Sequence, residues 1–203
     1  MYVLVEQGGL TSVDVGSWDT SNVTTMSRMF SGASGLTSVD VRSWDTSKVT
    51  DMSWMFYGAS GLTSVDVGSW DTSNVTTMSR MFSDARGLTS VDVGSWDISN
   101  VITMTSMFYG ASGLTSVDVR SWDTSKVTSM TYMFVDATSL DSLKLGVKFR
   151  FKDSTGLMEK NAVPYTGKWK NAQDETVSYG STAGFVKGYD GSKPGTYVRE
   201  KIK

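Results

Sequence analysis

The sequence contains no cysteine and no histidine, and only 2 of its 203 residues are proline. Without cysteine there is no disulfide framework, so redox chemistry says nothing about compartment. Without either residue type, thiolate and imidazole zinc sites are excluded, and no metal or cofactor is expected. Cysteine nucleophiles and histidine-dependent serine triads are excluded with them. No stretch reaches the roughly 18 consecutive apolar residues of a membrane-spanning helix. Met1 to Leu10 is too short for a signal peptide. Charge of one sign is also scarce: the net charge is −2, and nothing in it points to nucleic acid. Hydrophobic residues nevertheless make up 39% of the chain, with 7 Trp and 12 Met, which is enough apolar material to fold.

What is present is repetition. Trp18, Trp44, Trp70, Trp96 and Trp122 stand 26 residues apart. Five units follow, 10–35, 36–61, 62–87, 88–113 and 114–139, each a variant of LTSVDVGSWDTSNVTTMSRMF closed by a short polar link. A fixed period of about 20–50 residues is the mark of a solenoid, propeller or array, and 26 residues are too few for a four-stranded propeller blade. Within a unit, Val13 and Val15 flank Asp14 with strand periodicity, so the valines should point inward and Asp14 outward. SWDTSN reads as a turn. Val23, Met26, Met29 and Phe30 then fall three to four apart, the spacing of one or two helical turns. One unit alone could not bury these side chains, whereas stacked units would align them into ladders. The expected fold is therefore a repeat solenoid, a coil of one short parallel β-strand and one short helix per 26-residue repeat.

The expected organisation has three parts: an N-terminal cap over 1–9, a solenoid over 10–146 that includes a partial sixth repeat, and a small β-rich module over 147–203. Leu140, Leu143 and Leu145 continue the strand pattern, while the Trp and Met-Phe landmarks stop. Charge shifts at the same place, from 13 acidic and 7 basic residues in the five repeats to 7 acidic and 12 basic residues from 140 onward.

The phrase LTSVDVGSWDTSNVTTMSRMF resembles the repeat of the BspA-like, leucine-rich-repeat-related family of bacterial surface proteins, also described as a lactobacillus- or mycoplasma-type surface repeat. The resemblance covers 10–145. Val13 and Val15 stand where the family more often has leucines. The ending YDGSKPGTYVREK looks like the segment that follows such repeats in surface proteins. The resemblance implies an LRR-like right-handed solenoid, a cell-surface, wall-associated or extracellular location, and a role in adhesion to a host protein or glycan. No cell-wall anchor motif is visible.

Candidate residues fall into rows, one per repeat. Asp14, Asp40, Asp66, Asp92 and Asp118 should form an outward ladder, either a stripe for a cationic partner or a solvated polar face. A line of single carboxylates is a poor calcium cage. Asp19, Asp45, Asp71, Asp97 and Asp123 follow the tryptophans and suit turn capping. Trp18, Trp44, Trp70, Trp96 and Trp122, with Met26, Met29, Phe30 and their equivalents, are candidate core. The variable rows are better display positions: Arg42 and Arg120 in one, Trp54 and Tyr132 in another, Tyr57 and Tyr109 nearby. Surface aromatics are adhesive candidates.

The chain is expected to be a non-enzymatic surface protein with a binding role, or alternatively an architectural spacer. End-to-end self-association becomes available if a cap is incomplete. An enzyme would need an asymmetric pocket in 147–203 with converging carboxylates such as Asp174 and Glu175.

Overall fold

Each repeat bonds to the next at an offset of one unit. Thr50 donates its backbone N–H to the Thr24 carbonyl at 2.9 Å, and Thr76, Ile102 and Thr128 repeat the contact at 2.8–2.9 Å. Parallel bridges run Thr25–Asp51–Thr77–Thr103–Ser129. The computed structural model describes residues 9–202, so the capping strand expected over Met1–Gln7 lies outside the described residues.

The unit is not a strand followed by a helix, and the LRR-like solenoid expected above is corrected on this point. Among the described residues the single helix, α1 (Thr182–Gly188), lies beyond the repeats. Regular strands form one mixed five-stranded sheet of β1 (Ser116–Val119), β2 (Ser142–Leu145), β3 (Tyr165–Asn171), β4 (Ser178–Tyr179) and β5 (Gly195–Lys201), ordered β1-β2-β5-β3-β4. Only β1 falls within a complete repeat. The layers before it are built from turns.

The reason is visible in the segment read as helical. Arg28, Trp54, Arg80, Ser106 and Tyr132 all have positive φ, between 56° and 62°. A left-handed residue in this segment of each unit breaks a right-handed helix, at a cost of roughly 1–2 kcal/mol for a residue carrying a Cβ, and a second follows four residues on, at Gly32, Gly58, Asp84, Gly110 and Asp136. The N–H groups then split into two sets. Those of Met29, Ser31 and Ala33 close turns on the carbonyls of Met26, Arg28 and Phe30. Those of Met26, Arg28, Phe30 and Gly32 reach into the next layer, to Asp51, Ser53, Met55 and Tyr57, at 2.7–3.0 Å. The backbone is thus satisfied half within the unit and half by its neighbour. The same pattern still turns Met26, Met29 and Phe30 inward, where each is at most 1% exposed.

Side chains complete the stacking. Neighbouring Trp18, Trp44, Trp70 and Trp96 rings are nearly parallel, with centroids 6.0–6.4 Å apart. Each indole from Trp44 onward donates its Nε1–H to a valine carbonyl of the preceding repeat, at 2.9–3.2 Å. Phe30, Phe56, Phe82, Phe108 and Phe134 form a second ladder at 5.3–5.9 Å. Trp44, Trp70, Trp96 and Trp122 are buried, and Trp18, in the first layer, is half-buried.

The stack is continued by the chain that follows. β2 pairs in parallel with β1, Val117 opposite Leu143. Tyr132 and Phe134 donate backbone N–H groups to Ser154 and Thr155 at 2.8 Å, and the Thr124 hydroxyl meets the Arg150 carbonyl at 3.1 Å. β5 then runs antiparallel to both β2 and β3, joining repeats and tail in one sheet.

Arg199 on β5 anchors that junction. It is 5% exposed, its guanidinium lies 4.4 Å from the Trp169 ring centre, and it donates to Leu140 O, Thr182 Oγ1 and Met158 O. Beside it, Asp141 accepts from Lys160 and, at 2.6 Å, from the Tyr165 hydroxyl. Burial works to raise the Asp141 pKa, but the Lys160 and Tyr165 hydrogen bonds outweigh it and hold the carboxyl below its usual range. Such a lowered group stabilises the fold above its unfolded pKa, and that contribution is lost as pH falls through the folded value. Asp141→Asn should therefore cost about 1–3 kcal/mol at neutral pH, the size of hydrogen bonds to a charged group. Thermal melts should show the gap to wild type closing as pH drops below about 4.

Candidate functional site

The left-handed row is also where the surface becomes irregular. Its side chains project from a strained backbone position, and in no repeat is the residue glycine: the row reads Arg28, Trp54, Arg80, Ser106, Tyr132. Three residues further on, a second row reads Ser31, Tyr57, Ser83, Tyr109, Val135. Together they line an open cavity of about 400 Å³ bounded by Trp54, Tyr57, Arg80, Ser83, Asp84, Ser106, Tyr109 and Tyr132. Four of the six sequence-derived binding candidates, Trp54, Tyr57, Tyr109 and Tyr132, come together here.

The groove has a filled end and an empty middle. Trp54 packs edge-on against Tyr57, with ring centres 4.8 Å apart. Its faces are approached by two guanidiniums, Arg80 at 4.4 Å and Arg28 at 5.4 Å. Trp54 is thus a wall fixed by cation–π contacts rather than a free platform. Tyr132, at 55% exposed, stands open at the other end. Between these bulky residues the rows drop to serine. Ser83 and Ser106 are 2% and 4% exposed and form the floor. Asp84 sits at the rim, where Arg86 donates to its Oδ1 at 3.1 Å.

Arg42 and Arg120 are placed elsewhere. Each clamps the aspartate two residues before it through both guanidinium edges, Arg42 on Asp40 at 2.8–2.9 Å and Arg120 on Asp118 at 2.8–3.0 Å. The Arg42 hydrogen bonds bring the Asp40 pKa down to about 2. The aspartate row is outward-facing, but each carboxylate also folds back on the backbone. Asp14, Asp40, Asp66, Asp92 and Asp118 accept from the N–H two residues on, at 3.0–3.3 Å. The Asp19, Asp45, Asp71, Asp97 and Asp123 row does the same to Ser21, Ser47, Ser73, Ser99 and Ser125, at 2.9–3.0 Å. Both rows are turn-closing groups. In the tail, Asp174 caps its own turn on Thr176. The cavity there, about 590 Å³ between Phe151, Leu157, Ala183 and Val186, includes neither Asp174 nor Glu175.

Sequence reasoning missed Ser83 and Asp84 as site residues. Their signal was a break in the repeat: Tyr57-Gly58 and Tyr109-Gly110 become Ser83-Asp84 in the unit between them. Ser106 stands in the same variable row as Trp54 and Tyr132, but its role as floor depends on the side chains above and below it.

The fold and groove define a class: a turn-built stack of repeats closed by a mixed β-sheet, with its variable aromatic residues Trp54, Tyr57, Tyr109 and Tyr132 gathered around one groove. The chain belongs to the family described as Mycoplasma protein of unknown function, DUF285, which matches residues 4–116 and 62–158. That match replaces the BspA-like, leucine-rich-repeat assignment, since the repeat has neither that family's match nor its strand-and-helix unit. No curated protein and no solved structure matches the chain.

Proposed function

We propose that this chain is a non-enzymatic binding protein acting at the cell surface, and that the Trp54–Tyr132 groove is where it meets an extracellular protein or glycan. The observation that carries the reading is the clustering of Trp54, Tyr57, Tyr109 and Tyr132 around one cavity while the core ladders are complete without them. Buried aromatics stabilise a fold, whereas aromatics left at a surface and held rigid are the usual anchors of an interface. The groove row also keeps large side chains at a backbone position where glycine would relieve strain, and such strain tends to gather at functional sites.

The test is binding of the full chain to an array of extracellular-matrix proteins and glycans, with Tyr132→Ser and Trp54→Ser alongside. A saturable ligand, bound at least about tenfold more weakly by either variant, is the expected result, since hot-spot aromatics carry that much affinity. Equal binding by all three proteins would move the site off the groove. No binding by a folded sample would leave the repeats as a spacer.

A further inference from the structure

The groove floor carries two hydroxyls that open onto the cavity. Ser83 and Ser106 are both more than nine-tenths buried, yet among the described residues neither Oγ has a protein hydrogen-bond partner. Every fully enclosed side-chain polar atom in the described structure does have one, so these two are reached from the cavity they line. A nearly buried hydroxyl left open to a slot is a group waiting for an external donor or acceptor.

The walls restrict what can enter. Tyr57 and Tyr109 stand two repeats apart with only Ser83 between them in their row, a gap of about 10 Å by the spacing of adjacent strands. Arg80 and Tyr132 flank Ser106 in the same way. A flat aromatic guest would leave such a gap half-filled, whereas a puckered ring with an apolar face on each side occupies more of it. The charged groups of the site already have partners: Arg80 lies over Trp54, and Asp84 is paired with Arg86. Neither an anion nor a cation is specifically called for. Peptide capture by strand addition has no purchase either, because alternate backbone N–H groups in these turns are spent on the next layer.

Resting on the proposed binding role, we infer that the slot over Ser83 and Ser106 binds one neutral pyranose ring of a glycan. The sugar's C–H faces lie between Tyr57 and Tyr109, its hydroxyls meet the two serines, and the free oxygen of Asp84 accepts from its rim. An aromatic wall with a few placed polar groups is the general design of a small-ligand site.

The test is titration of the full chain with neutral glucose, galactose, mannose and N-acetylglucosamine, and with their β- and α-linked disaccharides, read by tyrosine fluorescence and by saturation-transfer NMR. Two variants accompany it. Ser83→Tyr fills the slot with the residue its own row carries in the repeats on either side, and Tyr109→Ser removes a wall. Both should fold, with melting temperatures near wild type. At least one sugar should saturate on wild type, and both variants should weaken it by about tenfold or more, the range for losing one stacking surface. Sugar binding untouched by Ser83→Tyr would overturn the slot assignment. Failure of every sugar would overturn the ligand class, and if the array ligand still bound in a Tyr132-dependent way, the binding role itself would stand.

Discussion

Replacing Gly146 with alanine is expected to destabilise the protein by about 3 kcal/mol or more, the upper end of overpacking costs. A Cβ at this position would overlap the backbone oxygen of Arg120 and come within 2.7 Å of its carbonyl carbon. Neither atom belongs to a flexible side chain, so relief requires moving the β1–β2 pairing, where Leu145 lies opposite Val119. The same row holds Gly16, Arg42, Gly68, Gly94 and Arg120 in earlier layers, so the requirement is local to the layer that closes the stack. Gly16→Ala is the matched control. Its Cβ would meet only Asp14 Oδ1, at an ordinary 3.5 Å. Urea titrations should show a large drop in midpoint for Gly146→Ala and a change within about 0.5 kcal/mol for Gly16→Ala.

The second large effect is expected at Trp96, where the stacked run of tryptophans ends inside the repeats. Trp96 is 1% exposed, stacks on Trp70 at 6.4 Å and donates Nε1–H to Val67 O at 2.9 Å. Trp96→Ala opens a cavity between layers and should cost about 3–5 kcal/mol. Trp96→Phe should cost much less. It keeps a ring in the ladder, and Val67 O retains the backbone N–H of Trp70 at 3.2 Å. In a linear stack each layer is held by its neighbours, so damage in an interior layer such as that of Trp96 uncouples the layers on its two sides. Trp96→Ala should accordingly broaden the urea transition as well as lower its midpoint, which circular dichroism and tryptophan fluorescence will check together.

The groove illustrates how side-chain identity and backbone geometry became separable. In the Met-x-x-Met-Phe segment, spacing alone is satisfied by a helix. It is equally satisfied by turns interrupted by one left-handed residue, because both put Met26, Met29 and Phe30 on one side. Glycine or asparagine at position 28 would have betrayed the left-handed site. Arginine, tryptophan, serine and tyrosine did not. The alternative is chosen by bonds that exist only between layers, such as Phe30 N–H to Met55 O. Similarly, the aromatic candidates were readable as departures from the repeat, but nothing local said that Tyr57 and Tyr109 would face one cavity while Arg42 and Arg120 folded onto Asp40 and Asp118.

By itself the sequence determined the 26-residue register, the inward residues and the turn-capping aspartates, because each depends on short-range periodicity or on a side chain bonding its own backbone. The tertiary structure alone decided the conformation of the Met-Phe segment, the sheet shared by the last repeat and the tail, and the empty slot over Ser83 and Ser106. Those features arise from contacts between residues a full repeat or more apart, where the energy of pairing neighbouring layers outweighs what any single segment prefers on its own.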